Sequence, residues 1–353
     1  MIETFREQVR AAAASGTTLR IRGGGTKDWY GQSFEGEILD TRGHTGIVDY
    51  EPTELVITAR CGTPLAEIEA VLAEQNQMLA FEPPHFGDNA TFGGAIAAGL
   101  SGPRRANSGA LRDFVLGAEL LDGQGELLRF GGQVMKNVAG YDVSRLLAGS
   151  LGTLGLITQA SVKVLPCPFA ETTLRFEMNE IEAIRKLNEW GGQPLPVSAS
   201  CWHAGVLALR LSGAQAAVDA AVRALGGQVL PDCAAFWASL REQRHAFFAG
   251  VGDGDGNDAL WRLSLPSTTG AVVLTGEQLI EWGGAQRWLR AGSDAAEAIR
   301  ATVKAAGGHA TLFRGGDKRV GVFQPLAPAV ARIHERLKAS FDPAHIFNPG
   351  RMY

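Results

Sequence analysis

Apolar and polar positions along the chain change period several times, and each change predicts an element. Residues 1–14 carry apolar residues on one face of a charged segment and predict an amphipathic helix. Leu19-Arg20-Ile21-Arg22 alternates strictly and predicts a strand that runs into Gly23-Gly24-Gly25. Short β-like runs follow at 47–50 and 55–58. Thr63-Pro64 then reads as the opening of a helix whose stripe is Leu65, Ile68, Val71 and Leu72. Residues 81–109 read as one long loop rich in Gly and Ala. Beyond it, 115–121 and 127–130 predict a hairpin, 144–148 a helical turn, and 149–155 a glycine loop feeding strands at 156–158 and 162–165. Pro166 and Pro168 mark a boundary.

Past residue 170 the texture changes. A strand at 172–176, a helix at 180–190, strands at 197–202 and 205–211 and a helix at 214–225 follow one another. That order suggests a ferredoxin-like unit. An aromatic helix is expected over 234–248, strands near 260–265, 271–274 and 309–313, and helices at 294–306 and 326–339. The Gly/Asp-rich stretch 252–258 reads as a mobile surface loop. No sequence repeat is visible.

Composition narrows the function classes. Of 353 residues, 45% are hydrophobic and 20% charged, which suits a soluble chain with substantial cores. The net charge of −4, without a basic run, argues against a nucleic-acid partner. Cys61, Cys167, Cys201 and Cys233 form no C-x-x-C pair and have no His at zinc-ligand spacing, so neither a metal site nor a disulfide framework is expected. The charged N-terminal segment reads as an amphipathic helix rather than a signal peptide, and no apolar run reaches transmembrane length. A cytoplasmic location is expected, with any membrane attachment made peripherally through partners.

Glycine is densest between Gly23 and Gly155, a stretch that holds 23 of the 45. Arg22-Gly23-Gly24-Gly25-Thr26-Lys27 places bare backbone amides, a hydroxyl and a cation just after a strand, a combination suited to an anion. It completes neither a Walker loop nor a Rossmann fingerprint. Thr91-Phe92-Gly93-Gly94, continuing to Gly99, would let a flat ligand lie against the backbone. Gly149 to Gly155, with Gly152 between, precedes a strand. For each element alone, a purely structural turn is the competing reading.

Together, with Lys136-Asn137-Val138-Ala139-Gly140-Tyr141-Asp142 between the second and third, these elements resemble the FAD-binding domain of the vanillyl-alcohol-oxidase type, also called PCMH-type. Gly-Gly-Gly-Thr-Lys-Asp-Trp at 23–29, Gly102-Pro103-Arg104-Arg105 and the stretch 134–142 are similar to the FAD-binding subunits of bacterial glycolate oxidases. The resemblance implies an α+β fold. A PCMH-type FAD-binding domain of two α/β subdomains would span 1–168, a ferredoxin-like cap domain 169–325, and a C-terminal segment at 326–353 would pack back on the FAD domain. It further implies that Gly23 to Lys27 wrap the FAD pyrophosphate. Pro83, Thr91, Gly93, Gly94 and Gly99 would line the ribityl and flavin side. Gly152, Gly155 and the Ile157 backbone would lie toward the adenosine end. Relatives that tether the flavin use a His or Cys beside the first loop. Only Thr26 and Lys27 stand there, so non-covalent FAD is expected.

One departure matters. Relatives that oxidise 2-hydroxy acids unaided carry a G-H-x-G-D-G-N-x-H motif. This chain has Gly307-Gly308-His309-Ala310-Thr311-Leu312-Phe313-Arg314-Gly315-Gly316-Asp317, in which the second His is missing. His309, with Arg314 and Lys318 as carboxylate-pairing cations, remain as catalytic candidates against a reading as a strand-end His and two solvated charges. Arg104 and Arg105 are candidates for phosphate or an acidic partner face, against a solvated loop. The aromatic stripe at 236–248, Trp282 and Trp288 are either core or a docking patch. Asn348 is a candidate for the flavin edge. The implied function is the FAD-binding subunit of a glycolate dehydrogenase complex, beside a catalytic FAD subunit and an iron–sulfur subunit. A stand-alone 2-hydroxy acid dehydrogenase and a non-redox scaffold subunit are the rivals.

Overall fold

The N-terminal helix Ile2–Ser15 buries Phe5, Val9 and Ala12, which the helical period puts on one face, and stops at Gly16 in the left-handed conformation. It packs in a cluster with Leu19, Leu39, Leu121, Leu156 and Phe347. The computed structural model describes residues 1–132, 142–252 and 257–352. The motif residues 136–141 and the centre of the 252–258 loop lie outside the described residues.

The chain divides into two compact units. The first comprises residues 1–100, 110–166 and 325–353. Its strands are β1 (Leu19–Arg22), β2 (Glu37–Asp40), β3 (Ile47–Glu51), β4 (Val56–Arg60), β5 (Gln77–Met78), β6 (Val115–Leu121), β7 (Leu127–Gly131), β8 (Leu156–Lys163) and β9 (Leu165–Pro166). β1 and β2 pair in parallel, while β3-β4-β8-β6-β7 form an antiparallel sheet. Central β8 is buried along nearly its whole length, as expected for a strand covered on both faces. The core joins Ile57, Leu65, Ile68, Leu72, Phe92, Ile96, Phe114, Leu120 and Val162.

The expected loop at 81–109 contains a helix, Phe92–Ala98. Two glycines of low helix propensity hide it from the pattern. Thr91 supplies the cap by accepting the Gly94 N–H, and burial of Phe92, Ala95 and Ile96 supplies the rest. Pro64, not Thr63, occupies the cap position of the next helix upstream, Leu65–Glu74. The Thr63 hydroxyl is instead an acceptor for the Gly46 N–H.

The second unit comprises 101–109 and 167–324. Its strands are β10 (Ala170–Glu177), β11 (Val197–His203), β12 (Val206–Gly213), β13 (Gln228–Leu230), β14 (Asp258–Ser264), β15 (Glu277–Glu281), β16 (Gln286–Gly292) and β17 (His309–Gly315). They form one eight-stranded sheet in the order β13-β10-β12-β11-β15-β16-β14-β17. The first four strands have the ferredoxin-like order 4-1-3-2, and the second four have the same order reversed. Two like half-sheets therefore meet at β11 and β15, a duplication with no repeat in the sequence. Helices Glu180–Gly191 and Gln215–Leu225 cover one face of the first half over Leu174, Leu207, Leu209 and Leu211.

Two expectations here need correction. Residues 271–274 form no strand. Arg287 holds the Thr269 and Gly270 carbonyls, and the Val272 carbonyl accepts from Gln278 Nε2, so side chains take up what a ladder would have used. The aromatic helix ends at Arg241. Gln243 turns left-handed, and Ala246–Phe248 is a separate 3₁₀ turn. Trp237, Leu240, Phe247, Phe248 and Trp288 are buried, so they are core rather than a docking patch.

Candidate cofactor cleft

Three segments of the first unit close on one cleft. The first is the turn after β1. A Cβ on Gly24 would fall 1.5 Å from the Asn89 carbonyl oxygen, and one on Gly23 would fall 2.3 Å from Thr91 Oγ1. These glycines are required by the close approach of the 89–91 backbone. Gly25 bends the chain at φ 74°. The second segment is the capped helix Phe92–Ala98. Gly93 donates to the Cys61 carbonyl at 2.8 Å, and its Cβ would strike Cys61 Cβ at 2.5 Å. The third runs from Leu151 to Ile157, where Gly152 and Gly155 both take positive φ.

The cleft is lined by Arg22, Gly23, Gly24, Gly25, Thr26, Lys27, Thr91, Gly93, Gly94, Gly152, Gly155 and Ile157, each named from sequence. Pro83 and Gly99 do not line it. Pro83 is buried elsewhere. Gly99 caps the helix in the left-handed conformation, with Gly149 Cα 2.7 Å from where its Cβ would be. Sequence reasoning missed Asp28, Thr41, Cys61 and Arg351 as lining groups. Asp28 and Arg351 sit inside quoted motifs, the G-G-G-T-K-D run and the closing N-P-G-R, but motif membership says nothing about where a side chain ends.

The electrostatics favour an anion. Arg22, Lys27 and Arg351 line the cleft with Asp28 as the single carboxylate. Asp28 is held between Arg20 Nη2 at 2.6 Å and Arg22 Nε at 2.8 Å. Arg351 donates to the carbonyls of Lys27 and Tyr30, both at 3.1 Å, and lies over the Phe34 ring. Burial pushes its guanidinium down to about 10, against the pull of Asp28, so it stays charged at neutral pH. The backbone N–H groups of Gly23, Gly24, Gly25 and Thr26 donate to no group among the described residues. Four adjacent open amides beside three cations make a concavity suited to a diphosphate. The residues present therefore fit the phosphate portion of FAD.

Cys61 does line the cleft, though it is remote in sequence from the first loop. Burial raises its thiol to about 12, so it stands as the neutral thiol at neutral pH. The C-terminal segment completes the wall. Asn348 donates from its backbone to the Leu19 carbonyl at 2.9 Å, and its Oδ1 accepts the Ile21 N–H at 2.9 Å. Lys338, buried with Asp342, donates to the carbonyls of Thr153 (2.6 Å) and Phe347 (2.8 Å).

The catalytic candidates lie in the second unit and do not assemble. His309 begins β17 and Arg314 stands near its end, roughly 17 Å along an extended strand. Lys318 follows in the next turn. Burial, helped by the Arg262 charge, holds the His309 imidazole below its usual value. Arg104 and Arg105 are not solvated loop residues. Arg104 is buried against Glu171 at 2.8 Å, and Arg105 stacks over Trp282.

Among the described residues no helix is long and apolar enough to cross a membrane. Residues 2–131 match the model of the FAD binding domain. Glycolate oxidase subunit GlcE of Escherichia coli K12 is 50% identical over 351 residues, covering 99% of this chain and 97% of that protein. Glycolate oxidase subunit GlcD of Bacillus subtilis 168 is 35% identical over 138 residues, 39% of this chain and 29% of its own length. Alkyldihydroxyacetonephosphate synthase superposes with a TM-score of 0.66 over 98% of this chain and 74% of that one at 16% identity, a likeness of fold alone. With half of all residues identical along almost the whole of both chains, the protein belongs to the family of GlcE glycolate oxidase subunits, built on a PCMH-type FAD-binding fold.

Proposed function

We propose that the chain is the FAD-holding subunit of a complex that oxidises glycolate, or a close 2-hydroxy acid, to the 2-oxo acid. The observation that carries this reading is the near full-length similarity to a protein named as a glycolate oxidase subunit. The first unit is the FAD-binding domain and the second the cap. Bound FAD supplies the hydride acceptor and a route for electrons onward. The open amides of Gly23 to Thr26, with Arg22, Lys27 and Arg351, hold the diphosphate. Thr91, Gly93 and Gly94 line the ribityl side, and Gly152, Gly155 and Ile157 the adenosine side. Attachment is non-covalent, consistent with the neutral Cys61 thiol.

His309, Arg314 and Lys318 are too dispersed to act as one proton-abstracting, carboxylate-pairing group. The partners of this reading are therefore a catalytic FAD subunit that carries the full His-rich motif and an iron–sulfur subunit that takes up electrons. The assembly is cytoplasmic, and any attachment to the inner membrane is made through those partners.

The test is a visible spectrum of the purified chain before and after acid precipitation, followed by anaerobic addition of glycolate. A flavin band released into the supernatant, unbleached by glycolate alone and bleached once the partners are added, is the expected result. Bleaching of the isolated chain would favour a stand-alone dehydrogenase. A colourless chain that cannot be reconstituted with FAD would refute the proposal.

A further inference from the structure

The first half-sheet of the second unit is covered by its two long helices on one face. Its other face floors a cavity of about 340 Å³, walled by Phe236 and His245. In the strand register Arg175 stands opposite Ala208, and Ala208 opposite Cys201. His203 lies two residues beyond Cys201, so Arg175 and His203 emerge on the same face across an apolar floor.

The hydrogen bonds of these side chains define their free atoms. His203 Nε2 meets Glu277 Oε1 at 2.7 Å. In the neutral imidazole a carboxylate there takes the Nε2–H bond and leaves Nδ1 as an acceptor. His245 is arranged the opposite way. Its Nδ1 accepts the Phe247 N–H at 3.2 Å, which leaves Nε2–H as a donor. Arg175 Nη1 binds Glu177 Oε1 at 2.9 Å, and the rest of its guanidinium makes no hydrogen bond among the described residues. The same holds for His203 Nδ1 and His245 Nε2. The nearby carboxylates are thus engaged, Glu177 by Arg175, Glu277 by His203, and buried Glu281, the register partner of Cys201, by Gln286 and Trp288.

The cavity therefore offers two donors, one of them cationic, and one imidazole acceptor. A 2-hydroxy acid has the complementary set: a carboxylate that accepts twice and an adjacent hydroxyl that donates once. We infer that this cavity binds a small 2-hydroxy carboxylate, with Arg175 and His245 on the carboxylate and His203 on the hydroxyl. The carboxylate class follows from the donor set, and the choice of a 2-hydroxy acid rests on the glycolate reading above. The site binds, and no redox step is placed in it.

The test is calorimetric titration of the full-length chain, flavin included, with glycolate and with acetate at pH 7.5 and fixed ionic strength. Glycolate binds more tightly than acetate, and His203→Phe removes the difference. Arg175→Gln weakens both acids by about tenfold, the value of one charge-assisted hydrogen bond. Flavin content and melting temperature are read on every variant, and both stay at the parent values. Unchanged affinity in Arg175→Gln, or a glycolate preference that survives His203→Phe, overturns the inference. A flavin-loaded chain that binds neither acid overturns it and leaves the flavoprotein reading intact. A flavin-free chain that binds glycolate through Arg175 does the reverse.

Discussion

Asn348 Nδ2 donates to the Leu151 carbonyl at 2.6 Å and stands 2.7 Å from where a Cβ on Gly152 would lie. With Oδ1 on the Ile21 N–H, this side chain ties β1 to the Leu151–Ile157 wall of the cleft. Asn348→Ala leaves a buried carbonyl and a part-buried N–H without their side-chain partner, which costs about 2–4 kcal/mol in all. Urea denaturation should show that loss, together with a lower flavin-to-protein ratio. Parent-like values for both would show that Asn348 does not brace the cleft.

Gly24→Ala drives a methyl group into the Asn89 carbonyl and must move backbone. It should abolish flavin retention. Gly191→Ala, at the exposed end of a helix in the second unit with nothing among the described residues within 4 Å of the added Cβ, should leave retention at the parent level. The flavin absorbance of the two purified variants decides. Equal retention would show that the first glycine loop tolerates displacement.

Burial lowers the imidazole pKa of His44, His245 and His309. Between the unfolded value near 6.5 and each lower folded value, the unfolded chain binds more protons. Stability therefore falls as pH falls through that window. The urea midpoint should be lower at pH 5.5 than at 7.5, and His309→Gln should shrink the difference. Asp40 loses its contribution only in stronger acid, and Glu180, whose carboxyl burial raises, opposes the trend equally in parent and variant, so the change caused by His309→Gln isolates the imidazole. A midpoint unchanged between the two pH values would contradict this account.

Thiol reactivity should divide by exposure. Cys167 is exposed, whereas Cys61 and Cys201 are buried, and since desolvation raises all three thiols it is access that separates them. A disulfide reagent at pH 8 should label Cys167 in the native chain and reach Cys61 and Cys201 only after denaturation. Cys61→Ser should keep its acid-releasable flavin. Flavin that remains bound to precipitated parent protein but is released from this variant would reveal a tether at Cys61.

Local rules carried much of the reading. Helices such as Glu180–Gly191 and Gln215–Leu225 follow from the 3.6-residue period and from caps or breaks nearby. The β6–β7 hairpin follows from its turn residues, Asp122 to Gly125. Local rules failed where a distant residue decided the outcome. Thr91 and the core override the poor helix propensity of Gly93 and Gly94, and Arg287 binds the backbone that would have made a strand near 272.

Residue type and short spacing were enough for the α+β class, the three glycine loops in their order, and the loss of the motif's second His within 307–317. Only the tertiary structure decided that Gly24 meets Asn89, that Cys61 lines the cleft, and that Arg351 and Asn348 return from the C-terminus to build its wall. It likewise brought His203 to Glu277 and His245. Such meetings join segments far apart in the chain, and they are set by register and core packing, which no local pattern of apolar and polar residues records.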